Sequence, residues 1–237
     1  MVTIGSNSTL DGVIRMRARL KLALAMAIFF AVKFLGAQVS PPEVIDSLSA
    51  RWDKVHDCSC TMETFTYAGK KSEHQILDYW FVRPKWIYMK VTGGRGKGSR
   101  VLYNPETNRV RVRAGGIFGA IPLTFSPEDK KVQSIRGHKI YNNHIGYMIF
   151  RWKYYLKNCR ISVSDLDSVI VLEAVGADTS MFHGAYREIL AIDKKSFFPV
   201  YFEQYDITGN LIHRVIMSDI KINQGVSPQD LERKFNG

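Results

Sequence analysis

The chain has 237 residues, of which 46% are hydrophobic and 12% aromatic, so it can bury a sizeable core and is not extensively disordered. The formal net charge of +11 raises the hypothesis of a nucleic-acid-binding protein. However, the basic residues are interleaved with acidic ones, and five of the 33 Lys and Arg residues precede position 38. We therefore expect no nucleic-acid partner.

The first predicted element is a secretory signal. A basic segment precedes the apolar run Leu22–Val32, and small residues follow at Gly36 and Ala37, as is typical of such signals. We predict a signal peptide at residues 1–37 and export to the periplasm; an uncleaved N-terminal anchor is the alternative. Translation from Met16 instead of Met1 stays open. No Cys follows the signal, so no lipid attachment is expected there.

Three cysteines are too few for a disulfide framework. Cys159 could pair with Cys58 or Cys60 in an oxidising compartment, or all three could be small buried residues. The C-x-C pair lacks a second pair of ligands at zinc spacing. We predict no metal site and no cofactor.

Helical spacing of Val44, Ile45, Leu48, Trp52 and Val55 predicts a first helix. Period-two segments from Cys58 to about residue 116 then predict four or five strands. A second helix is expected from about His144 to Lys157, then four more strands, and a short final helix capped by Ser227. This order predicts one α+β domain at residues 38–237, in which a large curved antiparallel sheet wraps around helices. A type I′-like turn at Gly209-Asn210 is expected to join the last two strands.

The C-terminal stretch Leu190–Phe235 carries a distinctive series of residues at matching positions. They are Asp193, Pro199, Asp206, Gly209, Asn210, Asp219, Asn223 and Phe235. In this series the chain resembles the LolA-like lipoprotein-carrier superfamily, and the N-terminal half is more loosely similar to an uncharacterised exported branch of it. The resemblance implies an unclosed β half-barrel around helices, with an apolar cavity for acyl chains. The Arg that helps to latch the lid in the carrier has no match that we can place.

The segments ILDYWFV and KWIYMKV carry bulky apolar groups on both strand phases, so both faces of the sheet need cover. One face can pack on the helices, while the other must meet a second element, a partner or a ligand. Ordinary core packing explains each bulky residue individually. As a group, the candidate cavity residues are Trp80, Trp86, Tyr88, Met89, Ile117 and Phe118.

The RVRVR segment places Arg109, Arg111 and Arg113 on one face of a strand. A solvated outer face explains this pattern. The functional alternative is contact with anionic lipid head groups or a membrane surface.

The sequence contains no recognised catalytic motif, and we predict no catalytic residues and no enzyme activity. Glu173 and Glu188 could converge as the carboxylates of hydrolases do, while His138 and His144 are expected at the surface. We predict a monomer that binds a lipid, a lipoprotein acyl chain or another apolar ligand and carries it through the periplasm, with envelope membrane proteins as further partners. The alternative is a periplasmic sensor or protein-interaction domain of the same fold without a transported ligand.

Overall fold

Eleven antiparallel strands form one unclosed sheet, in a computed structural model that describes residues 39–116 and 121–237. The predicted signal peptide lies outside these residues, as do Ile117 and Phe118. The order is β6-β5-β4-β3-β2-β1-β11-β10-β9-β8-β7, so two meanders meet where β1 pairs with β11. The strands are β1 Asp57–Ala68, β2 Lys71–Val82, β3 Trp86–Gly94, β4 Arg100–Asn104, β5 Arg109–Arg113, β6 Leu123–Phe125, β7 Arg160–Asp165, β8 Val169–Val175, β9 Arg187–Asp193, β10 Phe198–Tyr205 and β11 Leu211–Ile222.

Helix α1, Pro41–Asp53, begins with a capping box. The Ser40 hydroxyl accepts a hydrogen bond from the Glu43 amide, and the Glu43 carboxylate accepts one from the Ser40 amide. The buried side chains of α1 include Leu48 and Trp52, and the Trp52 ring lies 4.9 Å from that of Phe81 on β2. The predicted helical stripe therefore faces the sheet.

Helix α2, Ile145–Asn158, contacts α1 and packs in the same core. Its N-cap is His144, whose Nδ1 accepts a hydrogen bond from the Tyr147 amide at 3.2 Å. The buried side chains of α2 include Met148 and Trp152 together with the charged Arg151. These two helices cover the inner face of the sheet, as the predicted fold class requires.

Helix α3, Pro228–Asn236, packs on the other face of the sheet. Leu231 and Phe235 are fully buried in a separate cluster with outward-facing residues of β2, β3 and β4. The chain is held at the entry to this helix by the buried carboxylate of Asp57, which accepts hydrogen bonds from the Gln224 and Gly225 amides, both at 3.0 Å.

The β10–β11 hairpin was predicted with a two-residue I′ turn, and that prediction is wrong. The loop runs from Asp206 to Asn210, and the Gly209 amide donates to the Asp206 carbonyl at 3.1 Å. Only Gly209 of these residues has a positive φ, at 85°. The Asp206 carboxylate accepts from the Thr208 and Asn210 amides, so a capped longer loop is favoured over two left-handed residues.

Two further findings concern expectations from the sequence. Cys58, Cys60 and Cys159 are all free, so the structure contains none of the disulfides that were considered.

Within the described ranges no helix is both long enough and apolar enough to cross a bilayer.

Candidate ligand-binding cavity

A cavity of about 350 Å³ lies on the inner face of the sheet. This volume falls within the range of roughly 300–1,000 Å³ that is usual for small-molecule sites. Its walls are strands of both meanders, the segment between β6 and α2, and the α2 residues Tyr147 and Arg151. The cavity has an apolar wall and a polar wall.

The apolar wall is formed by the N-terminal meander. Successive strands from β2 to β5 each present inward-facing aliphatic or thioether side chains, because alternate residues of a strand share one face. The residues of this wall are Leu77, Met89, Val91, Val101 and Val112. Registers such as Leu77 with Val91 and Met89 with Val101 place them side by side across the sheet.

The polar wall crosses the junction between the two meanders. Thr66 of β1 pairs with His213 of β11, His213 pairs with Gln204 of β10, and Gln204 pairs with Glu188 of β9. Paired residues lie on the same face of a sheet, so these four side chains form one inward-facing row. Thr66, His213 and Gln204 line the cavity directly, whereas Glu188 lies behind it.

Glu188 is fully buried and its carboxylate is saturated with donors. Oε1 accepts from Arg151 Nη2 and Trp152 Nε1, both at 2.8 Å. Oε2 accepts from Gln204 Nε2 at 2.8 Å and from the Tyr155 hydroxyl at 3.3 Å. Burying a carboxylate is costly unless it is paired and hydrogen-bonded, and here all four lone-pair sites are used. This network ties α2 to the sheet.

Three histidines lie close together at the polar wall: His213, which belongs to it, and His138 and His183 beside it. The His138 ring lies 4.5 Å from the His183 ring and 5.5 Å from the His213 ring, in edge-to-face geometry. Burial, together with the charges of Arg136 and Arg151, lowers the pKa of each imidazole, to about 3 for His213. The imidazoles are therefore neutral at pH 7. In the described part of the chain, no group of three or more His, Cys, Asp or Glu side chains is arranged to hold a metal ion.

A second, smaller cavity of about 70 Å³ lies beside the first, near the start of α2. Cys58 and Cys60 line it together with Met148 and Met217. Burial, with a smaller contribution from Asp57, raises the pKa of the Cys58 thiol to about 12. Burial likewise raises the pKa of Cys60. Both thiols are protonated at neutral pH and behave as small apolar groups.

The structure places the described residues that were predicted for a cavity on two opposite faces of the sheet. Met89 lies in the apolar wall, and Asn143 Nδ2 lies 3.4 Å from its sulfur. Trp86 and Tyr88 point to the opposite face, where they pack with α3, and Trp80 packs against the same cluster. Because Trp86 and Tyr88 alternate with Ile87 and Met89 along β3, the two sets cannot share one face.

The three arginines of β5 lie on the α3 side of the sheet. Arg111 forms an ion pair with Glu232 at 2.5 Å, and its guanidinium lies 4.5 Å from the centre of the Phe235 ring. Arg113 also lies over Phe235, at 5.5 Å, while Arg109 is exposed. This face is partly covered by a helix of the chain itself, and is not simply a solvated outer face.

Sequence reasoning overlooked the polar wall. His138 and His144 are predicted at the surface, yet the first lines the cavity and the second packs beside Trp52 and Phe81, with ring centres 6.3 and 5.6 Å away. Glu173 and Glu188 do not converge: Glu173 pairs with Ile189 in register and Glu188 with Ala174, so the two carboxylates point to opposite faces. Two sequence features could have indicated this wall. Arg151 lies within the buried stripe of α2, and Glu188 shares a strand face with the buried residues Leu190 and Ile192.

Comparison with known proteins supports the fold. No protein-family model and no curated protein sequence matches the chain. An uncharacterized conserved protein from Thermus thermophilus is similar in structure, with a TM-score of 0.50 and 11% identity over 82% of this chain and 94% of that one. At this identity the likeness shows the fold alone.

Two further solved structures are similar to the chain at lower TM-scores. An outer membrane lipoprotein-sorting protein domain from Vibrio parahaemolyticus has a TM-score of 0.41 and 14% identity, covering 82% of this chain and 97% of that one. A LolA superfamily protein from Nitrosomonas europaea has a TM-score of 0.37 and 11% identity over the same shares. The chain has the α+β fold with an unclosed antiparallel half-barrel.

Proposed function

We propose that this chain is an exported, non-enzymatic binding protein that holds a lipid, a lipoprotein acyl chain or another single apolar chain in the cavity on the inner face of its half-barrel. The observation that carries the proposal is the cavity of about 350 Å³ with its continuous wall of aliphatic and thioether side chains across four strands. Export rests on the basic and apolar pattern of residues 15–37.

The energetics suit reversible binding. Each methylene transferred from water to an apolar wall contributes about 0.8 kcal/mol, so roughly ten methylenes provide a useful affinity without precise polar contacts. Association costs and chain ordering offset part of this gain. A carrier needs this balance, because the cargo must leave as well as enter.

The test is to fill the cavity without burying a charge. Val101→Trp and Val112→Trp place a large apolar side chain in the apolar wall, and each is expected to weaken the uptake of a fluorescent fatty acid by about tenfold or more. Ile207→Trp is the matched control, since Ile207 is exposed in the β10–β11 loop and its replacement should leave uptake unchanged.

Native mass spectrometry with lipid extraction, on protein purified from its own envelope fraction, gives an independent measurement. Co-purified lipid or acylated peptide that is lost in Val112→Trp supports the proposal. A wild-type protein that carries no ligand and takes up no fluorescent fatty acid would contradict it. That result would favour the alternative, a sensor or protein-interaction domain of the same fold.

A further inference from the structure

The polar wall of the cavity and the side chains directly behind it hold more positive charge than their carboxylates neutralise; Arg136 lies behind Gln204 and does not itself line the cavity. Arg151 is paired with Glu188, but the partners of Arg136 are neutral: its Nη1 donates to Gln204 Oε1 at 3.0 Å, and its Nη2 donates to the His183 carbonyl. Within residues 39–116 and 121–237, no carboxylate forms an ion pair with Arg136. Burial and the neighbouring Arg151 charge lower the pKa of Arg136 to about 10.

Arg151 also has a donor without an acceptor. The residue is only 8% exposed and lines the cavity, yet its Nε has no hydrogen-bond partner in the described structure. Leaving a buried donor of a charged group unsatisfied is costly, so such an atom calls for an explanation. The guanidinium group borders the cavity, so an anionic ligand there would place a second negative charge beside it, in addition to Glu188.

The other charges around the cavity do not cancel this excess. Glu73 is the one carboxylate among the described lining residues, and it is paired with Arg95 at 3.0 Å. Lys139 is paired with Glu128 at 2.5 Å. Lys131 also lines the cavity, and its ammonium group lies 6.0 Å from the centre of the Phe125 ring. Two cations are therefore left without a carboxylate partner among the described residues: Lys131, an exposed residue at the rim of the cavity, and Arg136, which lies behind Gln204.

His213 adds a group that can respond to an anion. Its Nδ1 lies 3.1 Å from the Phe65 carbonyl and 3.0 Å from the Thr66 hydroxyl. A carbonyl only accepts, so Nδ1 carries the proton of the neutral ring and Nε2 is free to take one up. An anion in the cavity would favour that uptake.

The geometry points to a specific class of occupant: an amphiphile with one apolar chain and an anionic head group, either a carboxylate or a phosphate monoester. The head group would meet Arg151, His138 and His213 at the polar wall, and the chain would lie along β2 to β5. This inference rests on the proposed function, and it adds the charge of the ligand and its direction in the cavity.

The experiment is calorimetric titration of the whole lipid-stripped protein with four probes. Dodecanoate, dodecyl phosphate and dodecanol share one chain and differ in the head group, and inorganic phosphate has no chain. We expect both anionic amphiphiles to bind about tenfold or more tightly than dodecanol, because charge-assisted hydrogen bonds are stronger than neutral ones. The preference between dodecanoate and dodecyl phosphate identifies the head group.

Arg136→Gln is the test variant, since it removes the charge and keeps an amide donor near Gln204. Affinity for the anionic amphiphiles should fall by about tenfold, while affinity for dodecanol should not change. Arg160→Gln, at an exposed position of β7, is the matched control and should change neither. If Arg136→Gln does not fold, His213→Gln serves as the second variant, and the comparison of probes on the wild-type protein stands by itself.

The outcomes separate this inference from the proposed function. Equal affinities for dodecanol and dodecanoate would overturn the anionic site and leave a purely apolar cavity standing. Inorganic phosphate binding as tightly as dodecyl phosphate would overturn the amphiphile in favour of a small anion. Failure of all four probes would overturn both this inference and the proposed function.

Discussion

At the scale of single residues, Glu188 is the most consequential side chain in the structure. A buried carboxylate is tolerated when a cation and hydrogen-bond donors replace its water, and Glu188 receives donors from Arg151, Trp152, Tyr155 and Gln204. It therefore holds α2, β9 and β10 in one arrangement. The same contacts fix the position of Arg151 at the edge of the cavity.

We expect Glu188→Gln to lower the free energy of unfolding by about 3–5 kcal/mol, because the buried Arg151 guanidinium loses its counter-charge. The measurement is urea unfolding followed by circular dichroism. Glu173→Gln is the matched control: Glu173 is about one-third exposed and pairs with Arg187, so its loss should cost no more than about 1 kcal/mol. Equal losses in the two variants would contradict the role given to Glu188.

The histidines give the protein a pH-dependent stability. The pKa of His213 is about 3 in the folded state, mainly through burial, against 6.5 ordinarily. Above pH 6.5 the imidazole is neutral in both states, and as pH falls further only the unfolded chain takes up the proton. Stability is therefore complete above the unfolded pKa and is lost progressively down to the folded one.

We predict that the free energy of unfolding falls between roughly pH 6 and pH 4, and that His213→Gln reduces this slope by up to about 1.4 kcal/mol per pH unit. Urea unfolding at a series of pH values measures it. Ile207→Gln is the control, because Ile207 is exposed and has no titratable group, so its replacement should leave the slope unchanged. An unchanged slope in His213→Gln would show that this imidazole is protonated in the folded state.

At the scale of elements, α3 explains the second apolar face of the N-terminal meander. The bulky residues Trp86 and Tyr88 are buried by this helix, and the Tyr88 hydroxyl donates to the Lys234 carbonyl at 3.1 Å. Asp57 fixes the chain just before the helix begins. The apolar residues on the two strand phases, which predicted cover for both faces of the sheet, are thus divided between α3 and the cavity.

We expect Phe235→Ala to cost about 3–5 kcal/mol of stability, because the fully buried ring leaves a cavity under α3. Binding of dodecanoate by the folded variant should not change, since Phe235 lies on the face opposite the cavity. Chemical unfolding and calorimetric titration check the two statements separately. A large loss of ligand affinity in the folded Phe235→Ala variant would contradict this separation of the two faces.

At the scale of the whole molecule, one sheet serves two purposes through its two faces. The inner face supports α1, α2 and the cavity, while the outer face of β2 to β4 supports α3. In the sheet of the described residues the two meanders are joined by the β1–β11 pairing, and the polar wall crosses that junction. A site at the junction is formed only when both halves of the chain are folded.

The residues that carried the family resemblance have structural roles. The carboxylate of Asp193 accepts a hydrogen bond from the Ser196 amide, and Asp206 caps the β10–β11 loop. The side chain of Asn223 bonds to the His56 amide and the Lys54 carbonyl. Phe235 anchors α3. Such turn and anchor residues can be recognised in a sequence because their roles are local or depend on one fixed contact.

Local sequence patterns predict the helices and most of the strands, because periodicity, caps and turns act over a few neighbouring residues, whereas the unclosed half-barrel was implied by the family resemblance. The short strands β6 and β7 were missed, since the prediction had four or five strands before the second helix and four after it. Which apolar phase faces the cavity depends on tertiary packing, because α3 is separated from the strands it covers by more than a hundred residues. The same holds for the polar wall. Strand pairing and helix docking bring together Arg136, Arg151, Glu188 and His213, and no local sequence pattern predicts these contacts.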